Sequence, residues 1–180
     1  MDLSIKYNNE VKNIEYENAN NLLNKIIDYT TENEKKIIEK DIKFIYEAIV
    51  ESWLITNRYI SGKPESGSEH IFAKALEKEI DIPHACSVSN GIILMILSHR
   101  YSNNSEIDDS DKKIIAILKK LDMFDLNMKY NITYNLIEKV YLSLIPRKDR
   151  YSIIDLIYKD GEIKAKVLNK YKVIMDKYLK

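Results

Sequence analysis

The sequence predicts an all-α fold, a single helical bundle over residues 1–180. Along most of the chain apolar residues recur at spacings of three and four, the period of an amphipathic helix. No segment alternates apolar and polar residues for long, as a half-buried strand would. Proline, glycine and capping residues fall between the periodic stretches, where helices start and stop. With 180 residues one domain is the default count, and that length can bury a sizeable core without disulfides. No internal repeat, low-complexity tract or interior linker is visible.

Each element has its own signal. Leu22, Leu23, Ile26 and Ile27 mark a short first helix. Thr31-Glu32-Asn33-Glu34 has the spacing of a capping box, which predicts the start of a long helix running to about Tyr59. Ile38, Ile42, Ile45, Ile49 and Trp53 form its expected inward stripe. Gly62-Lys63-Pro64 breaks the chain, because proline fixes one dihedral and removes a donor. Ser68 to Glu79 reads as a short helix with Ile71, Phe72, Ala75 and Leu76 inward. Pro83 suits the start of the next helix, about His84 to His99. That helix is apolar all round from Ile92 to Leu97, which predicts a central position. Asn103, Asn104, Ser105 and the acidic pair Asp108-Asp109 read as a loop. Helices follow at about Asp111–Leu121 and Thr133–Leu144, the latter ended by Pro146. A last pair, near Tyr151–Tyr158 and Glu162–Leu179, is divided at Gly161.

Composition narrows the function. Lys plus Arg and Asp plus Glu both number 28, so the formal net charge is zero and neither nucleic acid nor a membrane surface is an expected partner. No apolar run approaches the roughly 18 residues that span a bilayer, and the polar N-terminus is unlike a signal peptide. The single Cys86 excludes an intrachain disulfide and suits a reducing cytosol, so the cytoplasm is the expected compartment. Glycine is the most telling residue. Gly62, Gly67, Gly91 and Gly161 are too dispersed for a loop whose backbone cradles phosphate, so no nucleotide site is written in this chain.

Histidine is scarce. His70 follows Ser66-Gly67-Ser68-Glu69 at one helix start, and His84 follows Pro83 at the next. Two neutral imidazoles at neighbouring helix starts can face one site across a hairpin, and a carboxylate would complete a zinc set open to substrate oxygen. Fourteen residues is not a diagnostic ligand interval, and solvated or capping histidines suit the spacing at least as well.

The wording of three segments goes further. Ser61-Gly62-Lys63-Pro64-Glu65-Ser66-Gly67-Ser68-Glu69-His70 resembles the SxRPASGSEH segment of sn-glycerol-1-phosphate dehydrogenases. His84-Ala85-Cys86-Ser87-Val88-Ser89-Asn90-Gly91 resembles that family's HGEQVGVG segment. Ile145-Pro146-Arg147-Lys148-Asp149-Arg150-Tyr151-Ser152-Ile153-Ile154 is similar to its IRPxRYTIL segment. The resemblance implies the C-terminal helical domain of the dehydroquinate synthase-like fold, with the N-terminal Rossmann-like domain absent. It also implies a divalent metal, zinc first, held by His70 and His84, with Asp2 as the third ligand. The implied reaction interconverts dihydroxyacetone phosphate and glycerol 1-phosphate with NAD(P), which a missing or separate nucleotide-binding half would have to hold. Such a half, or self-association through the exposed cleft face, is the expected partner.

Where the family has Gly-Glu after the second ligand, this chain has Ala85-Cys86, and the family's TAxxDW stretch is not kept at Asn8–Asn13. The alternatives are a non-catalytic helical interaction domain, a degenerate relic of the family, or a lyase closer to dehydroquinate synthase. Cys86 reads as a small core residue before a soft ligand. His99, fifteen residues past His84 on the same helix, is too distant to share its ion. Glu69 is placed to cap or orient its helix start. Arg147, Lys148 and Arg150 could meet a phosphate but read first as a solvated loop.

Overall fold

The computed structural model describes residues 13–32, 42–57, 67–148 and 151–178. Among them all regular structure is helical: α1 Asn13–Glu32, α2 Ile42–Asn57, α3 Ser68–Leu76, α4 His84–Ser102, α5 Asp109–Lys120, α6 Met123–Lys129, α7 Tyr134–Ser143, α8 Ile153–Ile157 and α9 Gly161–Tyr178. The all-α expectation holds. None of these helices is long and apolar enough to cross a membrane.

α4 is the hub. It packs against α3, α5, α6, α8 and α9, and Cys86, Ile93, Leu94, Met95 and Leu97 are all buried. A helix that is apolar all round has this place in a bundle. Phe72 and Leu76 of α3, Ile137 and Tyr141 of α7, Ile153, Ile154 and Ile157 of α8, and Val167 and Tyr171 of α9 close the core around it. Each such side chain contributes roughly 1.5–3 kcal/mol by leaving water.

Caps fix where the elements begin. At α5, the Asp108 carboxylate accepts from the Asp111 amide at 2.9 Å and the Asp111 carboxylate accepts from the Asp108 amide at 2.9 Å, a reciprocal capping box. Arg100 near the end of α4 donates to Asp111 at 2.6 Å and also pairs with Asp108, tying the α4 exit to the α5 entry. Ser152 and Asp155 form a second box at α8. Asp160 accepts from the Ile163 amide at 2.9 Å and caps α9, which begins on Gly161, where the expected division between α8 and α9 falls.

Polar groups inside the core are satisfied. Asn90 of α4 and Asn127 of α6, both nearly inaccessible, exchange two amide hydrogen bonds of 2.9 Å. The Asn90 side-chain amide also donates to the Cys86 carbonyl at 2.8 Å, and the Tyr171 hydroxyl donates to the Asn90 side-chain oxygen. Three helices are thereby locked in one register, since each buried group would lose its partner if a helix slid. Burial pushes the Tyr171 hydroxyl far above the ordinary tyrosine range, which keeps it a donor.

Three local expectations need correction. Thr31 lies in the last turn of α1 and does not open the following helix. There Thr30 turns its hydroxyl back to the Ile26 and Ile27 carbonyls at 2.7 and 3.0 Å, the intrahelical bond typical of threonine. The stripe on α2 does not face inward: Ile45, Ile49 and Trp53 are 42%, 61% and 57% exposed, while Ile38 lies outside the described residues. α2 packs on α1 through a neighbouring face, where Phe44 stacks on Tyr29 at 3.7 Å, Glu51 meets Lys25 at 3.1 Å, and Ile55 is buried. α6 was not expected; Asp122 starts it from a left-handed conformation with φ 56°. The Gly62-Lys63-Pro64 break lies outside the described residues.

The buried amide network gives a graded prediction. Tyr171→Phe removes one donor but leaves Asn90 its Asn127 partner, and should cost about 1 kcal/mol. Asn127→Ala removes both amide bonds and opens a cavity, and should cost about 2–3 kcal/mol. Urea midpoints of the two variants against the parent check the order.

Candidate metal centre

α3 and α4 form an antiparallel hairpin. Glu69, near the start of α3, lies against Gly91, whereas Glu77, the residue that caps its end, meets His84 and Ser87 in the first turn of α4. The approach at Gly91 is close enough to need glycine. A Cβ there would stand 2.6 Å from the Glu69 carbonyl oxygen and 3.0 Å from its Cα, both backbone atoms that cannot turn aside. This contact sets the height of α3 against α4 and so the place of His70.

His70 and His84 come together with ring centroids 5.3 Å apart and planes tilted by 51°. Their side chains are 26% and 54% exposed, so the pair sits at the surface end of the hairpin with one ring sheltered. Each ring is held by a carboxylate. His70 Nδ1 is 2.7 Å from Glu69 Oε1, and His84 Nδ1 is 2.7 Å from Glu77 Oε1. Glu69 Oε1 also accepts from the Gly67 amide at 2.8 Å, and Glu77 Oε1 accepts from the Ser87 hydroxyl.

The two carboxylates place the Nδ1 hydrogens. Burial by itself would raise the Glu69 carboxyl, but hydrogen bonds from His70 and from backbone amides together hold it below the ordinary glutamate value. Burial likewise opposes ionisation of Glu77, and the Ser87 and His84 hydrogen bonds outweigh it. An ionised carboxylate only accepts, so each Nδ1 carries the hydrogen. A neutral imidazole protonated at Nδ1 presents a lone pair at Nε2, the form that ligates a metal. Neither Nε2 has a hydrogen-bond partner among the described residues.

The remaining expected residues fall out differently. Asp2 and Arg150 lie outside the described residues, and among those described no group of three or more His, Cys, Asp or Glu is placed to hold a metal ion. Cys86 is fully buried in the core, and burial pushes its thiol up, away from the thiolate that would serve as a ligand. His99 sits toward the far end of α4, partly buried. Arg147 and Lys148 are exposed after α7. Sequence reading reached Glu69 but missed Glu77 and Ser87. Their signal was spacing: Glu77 is seven residues from both His70 and His84, and Ser87 is three past His84.

The chain is 32% identical over 124 residues to a glycerol-1-phosphate dehydrogenase [NAD(P)+] from Methanococcoides burtonii, an alignment covering 67% of this chain and 32% of that protein. The similarity marks a distant relation, and the chain spans about a third of the relative's length. No family model matches the chain, nor does any solved structure.

Two glycine substitutions test the hairpin geometry. Gly91→Ala should overpack the α3–α4 contact and cost about 1–3 kcal/mol in denaturant unfolding. Gly161→Ala meets nothing within 4 Å and has no positive φ to relieve, so it should stabilise by about 0.4–1 kcal/mol.

Proposed function

We propose that this chain is the metal-holding half of a glycerol-1-phosphate dehydrogenase-like oxidoreductase. His70 and His84 hold a divalent cation, zinc by donor type, and Asp2 supplies the third ligand. The observation that carries this reading is the imidazole pair itself. Both rings are in the hairpin, both Nδ1 atoms are committed to carboxylates, and the centroids are 5.3 Å apart. Two imidazoles sharing a tetrahedral zinc at ~2.0–2.1 Å from each nitrogen have centroids about 5 Å apart, a spacing that supports this reading.

A zinc ion bound there would act as a Lewis acid on a substrate carbonyl oxygen. The protein's own part is positional. His70 is the more sheltered ring and His84 the more exposed. Glu69 and Glu77 keep both imidazoles in one tautomer. Reduction of dihydroxyacetone phosphate would require NAD(P)H within ~3.5 Å of the carbonyl, so a nucleotide-binding half must form the other wall. The relation to an NAD(P)-dependent enzyme about twice this chain's length supports that division of labour. No sequence feature here cradles a dinucleotide, since the four glycines are dispersed.

The exposed apolar face of α2 favours a second reading, a helical interaction domain without catalysis. Ile45, Tyr46, Ile49, Trp53 and Leu54 are each at least 42% exposed on that helix. Bound metal separates the two readings. The full chain, purified without chelator and analysed by mass spectrometry for elements, should carry one zinc or take it up stoichiometrically. His70→Ala and His84→Ala should each abolish stoichiometric binding. Metal content unchanged by His70→Ala removes the dehydrogenase reading and leaves the interaction domain.

A further inference from the structure

We infer that Glu77, braced by Ser87, and Glu69 are positioning residues that fix the tautomers of His84 and His70 and thereby set the affinity of the pair for a divalent cation; this rests on the metal-binding reading above. Glu77 is the residue that ends α3, and its carboxylate turns to the first turn of α4. There it accepts from Ser87 and from His84 Nδ1 on the same oxygen. Ser87 is fully buried, and its single hydroxyl hydrogen is shared between Glu77 and the His84 carbonyl at 3.0 Å. The chain Ser87–Glu77–His84 therefore closes the hairpin and orients an imidazole that is otherwise 54% exposed.

Glu69 does the same for His70 from a neighbouring position. Its carboxylate is anchored by the Gly67 amide, and its backbone is pressed against Gly91. The two carboxylates come from opposite ends of α3, yet both address Nδ1 and leave Nε2. Both contacts engage the ring nitrogen nearer the backbone. A pair of braces that both select Nδ1 prepares two Nε2 lone pairs, and groups of this kind change metal affinity ~10–100-fold when removed.

The test uses the full chain, metal-free and labelled with nitrogen-15 in histidine. Long-range proton–nitrogen correlation spectra are recorded near pH 8, above the ordinary histidine value of ~6.5. Both His70 and His84 should show a hydrogen on Nδ1 and none on Nε2. Glu77→Ala should shift His84 toward the Nε2–H form, leave His70 unchanged, and weaken zinc binding ~10–100-fold in a competition titration. Glu77→Gln keeps a carbonyl acceptor and should restore the tautomer. Ser87→Ala deletes only a hydroxyl and reads the same effect more weakly should Glu77→Ala fold poorly. Zinc binding by the parent with no change of tautomer or affinity in Glu77→Ala or Ser87→Ala overturns this inference while the metal reading stands. No zinc binding by the parent overturns the metal reading itself, and with it the role given to the carboxylates.

Discussion

The backbone contact between Gly91 and Glu69 is the constraint on which the rest of the hairpin depends. A nine-residue helix such as α3 has too few turns to be stable alone and must take its position from what it packs on. At Gly91 the absence of a side chain lets the two backbones approach to a distance that no other residue permits. Once Glu69 is pinned there, His70 follows by one residue, and Glu77 arrives two turns later beside His84 and Ser87. Antiparallel pairing would normally leave two helix starts at opposite ends of a hairpin. Here the shortness of α3 and the reach of the side chains bring the two rings to 5.3 Å.

The neighbouring residue fastens the other side of the same helix. Asn90 turns away from α3 and into the core, where Asn127 and Tyr171 satisfy its amide. Two adjacent residues thus fix α4 against α3 on one flank and against α6 and α9 on the other. The polar pair limits sliding, because a shifted register would leave buried amides unpaired. The glycine limits separation, because dispersion attraction fades within an ångström of gap. The first turn of α4, with His84 and Ser87, is therefore presented by a helix that is held in both directions. A site placed on a rigid element in this way keeps its geometry better than one placed on a loop.

The sequence foretold the central helix because burial on every side leaves an unbroken apolar run, and Ile92 to Leu97 is such a run. It foretold the two histidines only through the wording around them, since an interval of fourteen residues carries no geometry. Other features were illegible for definite reasons. The periodicity of α2 correctly marks an apolar face, but period alone cannot say whether anything covers it; Ile45, Ile49 and Trp53 are exposed all the same. α6 is seven residues long and begins from a left-handed Asp122, a backbone choice that residue type at most permits. Glu77 stands in Leu76-Glu77-Lys78-Glu79, where alternating charge reads as a solvated helix end. Its partner is set by the turn of residues 77–83 folding back, which is a tertiary fact.

Charge balance gives the hairpin its chemical direction. Glu69 and Glu77 are both partly sheltered, and both are nonetheless held in the ionised form by the hydrogen bonds they accept. Two carboxylates around the two imidazoles place two formal negative charges within a small volume. Such an arrangement is unfavourable by itself, since like charges repel more strongly away from bulk water. Surface ion pairs offset little of this, being worth at most about 1 kcal/mol each. A divalent cation between the imidazoles would cancel the excess through the same ring nitrogens that the carboxylates leave open. On this argument the carboxylates do more than steady the rings. They supply negative charge that a dication held by the two Nε2 atoms would offset.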